Sequence, residues 1–152
     1  MQPKILISAC LLGAPVRYDG VSQAVTHPLL LRLQREGRLV PFCPEVAGGL
    51  PVPRVAAELQ ADGRVLTRDG GDVSGAFAQG AREAVLLARV EGVCCALLKA
   101  RSPSCGVGQI YDGHFSGRLQ PGDGLTAQAL QQAGIPLFTE ADLEALARFL
   151  EV

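Results

Sequence analysis

Short apolar runs, each about the length of one β-strand, alternate along this chain with segments of helical periodicity. The clearest run is Val93–Leu98, which is continuously apolar, as is typical of a central parallel strand buried on both faces. Lys4–Ala9, Leu39–Phe42 and Ile135–Phe138 are further runs of this kind. Because strands alternate with helices throughout, the pattern predicts an α/β fold in which helical layers cover both faces of a mostly parallel sheet.

Capping residues and glycines set the expected limits of the helices. We expect helices to begin at side chains that accept backbone hydrogen bonds, namely Thr26, Asp72, Asp123 and Thr139 together with Asp142. Glycine ends the first three of these helices, at Gly37, Gly92 and Gly134. Two Asp-Gly pairs, at 62–63 and 112–113, predict tight turns that each close a β-hairpin.

The length and the charge of the chain limit its domain count and its partners. A chain of 152 residues suits a single domain over 1–152. Its formal net charge of -1 gives no overall field for binding an anionic membrane or a large nucleic acid. The segment Ile7–Cys10 imitates a lipoprotein cleavage box, but only three apolar residues separate Lys4 from its small residues, whereas an export signal needs about 7–15. We therefore expect a cytoplasmic protein.

Three cysteines follow predicted strands. Cys10 ends the first strand, Cys43 ends the second, and Cys105 lies in the loop after the central strand. Free cysteine is a common core residue, but proline and glycine neighbours place Cys43 and Cys105 in loops, where ligands and catalytic groups concentrate. Ligands of parallel sheets bind at the carboxyl ends of the strands, so we expect the three thiols at one edge. Three thiolates suit an iron–sulfur cluster, zinc or a thiol relay, and their spacing does not distinguish these.

The adjacent pair Cys94 and Cys95 lies inside the apolar run of the central strand. Neighbouring residues of a strand point to opposite faces of the sheet, so this pair is poorly placed to bind one metal ion together. We therefore predict that both side chains belong to the core.

A carboxylate and two hydroxyls accompany the cysteines. Glu45 follows Cys43 by two residues in an otherwise apolar or glycine-rich stretch. It is either a desolvated carboxylate suited to proton transfer or a loop carboxylate that faces water or pairs with Arg54. Ser102 and Ser104 either bond nearby backbone or hold a heteroatom of a substrate. Basic residues near the same edge either offset thiolate charge, bind an anion or are plain surface charge: Arg17, Lys99 and Arg101.

Several motifs occur in a fixed order over nearly the whole chain. They are Ser8–Gly13 with Val16–Gly20, then Cys43–Glu45 with Gly48–Pro51, then Arg101–Gly106 with Ile110–Gly113. In this order they resemble the thiouracil desulfidases, a family of small bacterial domains. The resemblance is specific for the family and less specific for the substrate.

This resemblance implies a Rossmann-like domain that holds an oxygen-sensitive four-iron four-sulfur (4Fe-4S) cluster on three cysteines. By motif the cluster ligands match Cys10, Cys43 and Cys105. The fourth iron then has no protein ligand and is open to sulfur from the substrate. A structural or electron-transfer cluster ordinarily has four cysteine ligands, so an open iron points to substrate chemistry.

The resemblance also implies the reaction. Members of the family remove sulfur from 4-thiouracil or its nucleotide, 4-thio-UMP, and release hydrogen sulfide and uracil or UMP without net redox. The catalytic carboxylate matches Glu45 and the catalytic serine matches Ser102, with Ser104 as the alternative. The expected partner is a small thiolated pyrimidine or its nucleotide, although the sequence also leaves a nucleoside or thiolated RNA open. Two other functions fit the same cysteines: a zinc-binding structural or interaction module, and a sulfurtransferase that passes a persulfide through one low-pKa thiol.

Overall fold

The computed structural model describes residues 2–15, 17–20 and 24–151, which form strands, helices and short 3-10 turns. The strands are β1 (Ile5–Ser8), β2 (Leu39–Phe42), β3 (Ala57–Leu59), β4 (Val65–Thr67), β5 (Cys95–Leu98), β6 (Gln109–Tyr111), β7 (Leu119–Pro121) and β8 (Leu137–Thr139). The α-helices are α1 (Pro28–Arg35), α2 (Pro44–Ala47), α3 (Ser74–Glu91), α4 (Leu125–Gln132) and α5 (Leu143–Glu151). None of the helices formed by these residues is long and apolar enough to span a membrane.

A four-stranded parallel sheet in the order β2-β1-β5-β8 forms the centre of the fold. Alternate residues of its strands point to opposite faces, as the period of a strand requires. Ile5 and Ile7 enter a core cluster with residues of α1 and α5, whereas Leu6 enters a second cluster with residues of α3 and α4. Helices therefore cover both faces, and the predicted three-layer α/β fold is confirmed.

Two antiparallel hairpins stand outside the central sheet, as the Asp-Gly pairs predict. One pairs β3 with β4 and the other pairs β6 with β7. Leu59, Val65 and Ile110 from these hairpins pack with Phe77 of α3 in a third core cluster. The hairpins are thus fixed to each other and to α3, the longest of the described helices.

Two predicted helix caps are wrong. The N-cap of α1 is His27 rather than Thr26, and its Nδ1 accepts a hydrogen bond of 3.1 Å from the Leu29 N–H. Pro28 explains the difference, because proline favours the first helical position and so makes the preceding residue the cap. Asp123 does not cap α4, since its carboxylate accepts from the Gly108 N–H at 2.7 Å.

The other predicted caps agree with the structure in their main features. Thr139 and Asp142 form a reciprocal capping box at the 3-10 turn that leads into α5. Asp72 accepts a hydrogen bond of 2.9 Å from the Ser74 N–H, although the N-cap position itself is Val73. Side chains just before a helix therefore supply the partners that its first N–H groups lack.

The pair Cys94 and Cys95 lies at the amino end of β5. Cys95 is fully buried, and the half-buried Cys94 precedes the strand and packs against the same core cluster. Their sulfur atoms are 3.8 Å apart, so the prediction that they point to opposite faces is wrong. The reason is that Cys94 is not part of the pleated strand, but the prediction that the pair belongs to the core holds.

The short helix α2 packs directly on the backbone of α3. A Cβ atom added to Gly80 would lie 2.0 Å from the carbonyl oxygen of Pro44, and one added to Gly48 would lie 2.0 Å from that of Ala76. Both positions therefore require glycine. This contact fixes the place of α2, which carries Glu45, relative to the long helix.

We predict that Gly80→Ala lowers the free energy of unfolding by about 3 kcal/mol, because the new methyl group collides with main-chain atoms that cannot rotate away. Urea denaturation followed by circular dichroism measures this loss. Gly75→Ala is the matched control, since Gly75 lies in the same helix with open space around its Cα. Its stability should be unchanged or slightly higher, and equal stability of the two variants would contradict the proposed contact.

Candidate functional site

A cavity of about 520 Å³ opens at the carboxyl ends of β1, β2 and β5. The strand order puts β2 on one side of β1 and β5 on the other, a topological switch point of the kind where α/β sheets bind ligands. All the site residues singled out in the sequence line this cavity: Cys10, Cys43, Glu45, Ser102, Ser104 and Cys105. The structure therefore brings them together, while their chemical roles remain predictions.

Each cysteine follows its strand in a different local structure. Cys10 lies in the 3-10 turn Ala9–Leu12 directly after β1. Cys43 is the N-cap residue of α2. Cys105 lies in the loop between β5 and β6 and is almost fully buried. Three separate backbone segments thus hold the three thiols.

The carbonyl groups of the Cys105 loop are tied to the start of α4. The N–H groups of Thr126 and Ala127 donate to the carbonyl oxygen of Ser104, and that of Leu125 donates to Pro103. The carbonyl groups of the loop thus accept hydrogen bonds from the first N–H groups of the helix, which a side-chain cap would otherwise satisfy. This anchoring fixes the backbone that positions Ser104 and Cys105.

Burial governs the acidity of the thiols. Desolvation raises the pKa of Cys10 to about 11 and that of Cys105 to about 12, and it also raises the pKa of Cys43. The Cys43 thiol adds to the increase at both Cys10 and Cys105, as expected of neighbours. Lys99 and hydrogen bonds from Ser8 and Ser104 act in the opposite direction. Thiolates at these positions therefore need a compensating cation.

The environment of Glu45 has features of both interpretations that the sequence allows, burial from water and pairing with Arg54. Its side chain is only 15% exposed, and its Oε1 accepts a hydrogen bond of 3.1 Å from Nε of Arg54 and forms an ion pair with Nη2 of the same residue, also at 3.1 Å. Its Oε2 accepts from the Ser104 hydroxyl at 2.9 Å. The carboxylate is therefore desolvated and paired with Arg54 at once, with both oxygens fixed beside the thiols.

The two serines differ in their partners. Ser104 is buried and donates to Glu45, whereas Ser102 is half-buried and its Oγ accepts from the Cys105 N–H at 2.6 Å. The two hydroxyl oxygens are 3.3 Å apart. A continuous hydrogen-bonded chain thus runs from Arg54 through Glu45 and Ser104 to Ser102. Such a chain can hold and transfer protons at the cavity wall.

Basic side chains outnumber acidic ones among the described residues that line the cavity. The basic ones are Arg17, Arg54, Arg68, Lys99 and Arg101, and the acidic ones are Glu45 and Glu58. Lys99 is held by Glu140 at 2.9 Å. Glu45 likewise pairs with Arg54, and Asp19 pairs with Arg17, so the positive charge that suits an anionic ligand comes mainly from Arg68 and Arg101.

Sequence reasoning missed part of the lining. Ser8, Glu58, Arg68 and Phe115 were not singled out, although the Oγ of Ser8 accepts from the Lys99 N–H at 2.9 Å at the cavity wall. The position of Ser8 two residues before Cys10 offered a signal for it. The other three lie on the hairpins, and no motif in the sequence indicates that the hairpins reach the cavity.

Comparison with known proteins identifies the family to which this chain belongs. The family model described as 2-thiouracil desulfurase matches residues 5–142. The chain belongs to the 2-thiouracil desulfurase family. A solved structure of the [4Fe-4S]-dependent thiouracil desulfidase TudS is 49% identical to it, with a TM-score of 0.96 over 99% of both chains. The uncharacterized protein YbbK of Bacillus subtilis (strain 168) is 37% identical over 148 residues, which cover 91% of this chain and 97% of YbbK.

Family membership confirms the resemblance drawn from the motifs. The TudS structure also confirms the fold class, since the two folds agree over nearly their full length. Within the described residues, no three His, Cys, Asp or Glu side chains form a group that could hold a single metal ion.

We predict that Glu45 and Arg54 are strongly coupled in stability. Arg54→Met leaves a largely buried carboxylate without its charge partner and should lower the free energy of unfolding by about 2–3 kcal/mol, somewhat less than at a fully buried pair. The double variant Glu45→Gln with Arg54→Met should lose less free energy of unfolding than the sum of the losses in the two single variants. We expect the difference to be at least about 1 kcal/mol. Denaturant unfolding of the four proteins measures this coupling, and strictly additive losses would contradict it.

Proposed function

We propose that this protein is an iron–sulfur cluster-dependent desulfidase that removes sulfur from a thiolated pyrimidine, 4-thiouracil or 4-thio-UMP, and yields hydrogen sulfide with uracil or UMP. The observation that carries the proposal is the placement of three cysteines and the Glu45–Ser104 pair on the wall of one cavity. The likeness to TudS, a [4Fe-4S]-dependent thiouracil desulfidase, supports it independently.

The donor set fits a 4Fe-4S cluster with one iron free of protein ligands. Cys10, Cys43 and Cys105 would supply the three thiolates, since sulfur ligands are those that iron–sulfur clusters use. The remaining cysteines, Cys94 and Cys95, are at the amino end of β5, whereas the cavity is at its carboxyl end. When bound, such a cluster supplies a Lewis-acidic iron that accepts the sulfur of the substrate.

The side chains of the cavity would carry the proton transfers. Glu45 takes a proton from a water molecule whose oxygen attacks the ring carbon that bears sulfur. The new carbon–oxygen bond replaces the carbon–sulfur bond, both protons of the water leave with the sulfide as H₂S, and no electrons are exchanged. Ser104 holds the carboxylate in place, and Ser102 binds the ring or its oxygen.

The charges of the cavity favour a small anionic or polar substrate. Its basic lining residues suit the phosphate of a nucleotide, while the net charge of -1 gives the whole chain no field for a large nucleic acid. The position of the sulfur on the ring is tested by offering 2-thiouracil and 4-thiouracil side by side.

We expect each of Cys10→Ala, Cys43→Ala and Cys105→Ala to lose the intact cluster, because each removes one of three ligands. Iron and acid-labile sulfide are measured after anaerobic reconstitution. Cys94→Ala is the matched control and should retain both. A full cluster in all three variants would exclude the ligand assignment, and zinc without sulfide in the wild type would favour a structural zinc module.

We expect Glu45→Gln to reduce kcat by about 10²- to 10⁴-fold while it retains the cluster, because proton transfer by a positioned side chain contributes an effect of this size. Ser102→Ala should also reduce turnover, because it removes the hydroxyl that binds the ring of the substrate. Turnover is measured under anaerobic conditions with 4-thiouracil, 2-thiouracil and 4-thio-UMP as substrates. The readout is the loss of absorbance of the thiocarbonyl group. Ser104→Ala should show a smaller loss, since it acts through Glu45. Wild-type rates in the Glu45 variant would overturn the proposed proton transfer.

A further inference from the structure

The loop between β6 and β7 brings an aromatic side chain, Phe115, to the cavity. Its backbone has φ of 54°, in the left-handed region that bulky residues rarely adopt. Arg101, with φ of 74°, is the other non-glycine residue of this kind in the described part of the chain, and it also lines the cavity. Backbone strain of this sort persists where the surroundings impose it and clusters at functional sites.

Glu58 of β3 imposes the conformation of this loop. Its Oε1 accepts from the N–H of Gly113 at 2.9 Å and from the N–H of Phe115 at 3.2 Å. Gln60 donates from Nε2 to the carbonyl oxygen of Gly113 at 3.1 Å. Glu58 is buried, so these hydrogen bonds form in surroundings with little competing water. One hairpin therefore fixes the loop of the other.

The ring of Phe115 contributes to none of the hydrophobic cores formed by the described residues. It is half-buried and absent from all three clusters, whereas Phe42, which also lines the cavity, packs against the second cluster. The guanidinium of Arg68 lies over the ring, 5.2 Å from its centroid. The strained loop thus serves to hold an aromatic ring at the cavity wall.

We propose that Phe115 is the surface on which the planar ring of the substrate stacks, and that Glu58 is the residue that positions it. This inference rests on the proposed function and extends it to the residue that selects a flat ring. Stacking between a base and an aromatic side chain tolerates any flat base, so Phe115 selects the shape of the ring rather than the place of its sulfur. A puckered ring cannot make the same contact.

The test compares Phe115→Leu and Phe115→Tyr in the reconstituted holoenzyme. Phe115→Leu should raise KM for 4-thiouracil about tenfold with little change in kcat, because the contact is lost equally in the ground and transition states. Phe115→Tyr retains the ring and should stay near wild type. Phe149→Leu is the matched control, since Phe149 is partly exposed on α5 and packs against the ring of Phe138 in a tilted arrangement outside the cavity.

A second measurement separates stacking from mere support of the fold. Inhibition constants are compared for uracil, which is planar, and 5,6-dihydrouracil, which is puckered. Wild type should favour uracil, and Phe115→Leu should lose most of that preference. Iron content and thermal unfolding verify each variant, and Phe115→Met replaces the leucine variant if the latter fails to fold.

An unchanged KM together with an unchanged preference for uracil in the non-aromatic variant would overturn the inference and leave the proposed function standing. Absence of turnover in the wild type would instead remove the proposed function. Calorimetric binding of uracil and 5,6-dihydrouracil to the holoenzyme then still tests the stacking, since equal affinities for the two rings would overturn it.

Discussion

The common edge at which β1, β2 and β5 end is the constraint on which the rest of this molecule depends. Parallel strands in one sheet must all end at the same edge, so residues far apart in sequence become neighbours there. Each of the three strands is followed by one cysteine of the cavity. The buried sheet residues and the helices on both faces keep this edge rigid, and the loops beyond it carry the chemical groups.

Close backbone packing transmits that rigidity to the side chains of the site. Gly48 and Gly80 let α2 lie directly against α3, and the first N–H groups of α4 bind the carbonyl groups before Cys105. Two fixed backbone segments therefore meet at the hydrogen bond between Glu45 and Ser104. Burial raises the pKa values of the thiols because it disfavours their charged thiolate form. A positively charged metal centre would offset this cost.

The layers of the fold and the location of the site follow from local pattern, whereas the details depend on tertiary contacts. Val93–Leu98 reads as a buried strand from its composition alone, and the strand ends locate the cysteines. Asp123 looks like a helix cap, but the structure uses it to hold Gly108, a contact that no local rule encodes. The placement of Phe115 depends likewise on Glu58, more than fifty residues away.

Mössbauer spectroscopy of the anaerobically reconstituted protein tests the central claim most directly. Three thiolate ligands on a four-iron cluster leave one iron in a different environment, so the account predicts that about a quarter of the iron signal is distinct and shifts when 4-thiouracil is added. A spectrum in which all iron is equivalent and insensitive to 4-thiouracil would contradict it.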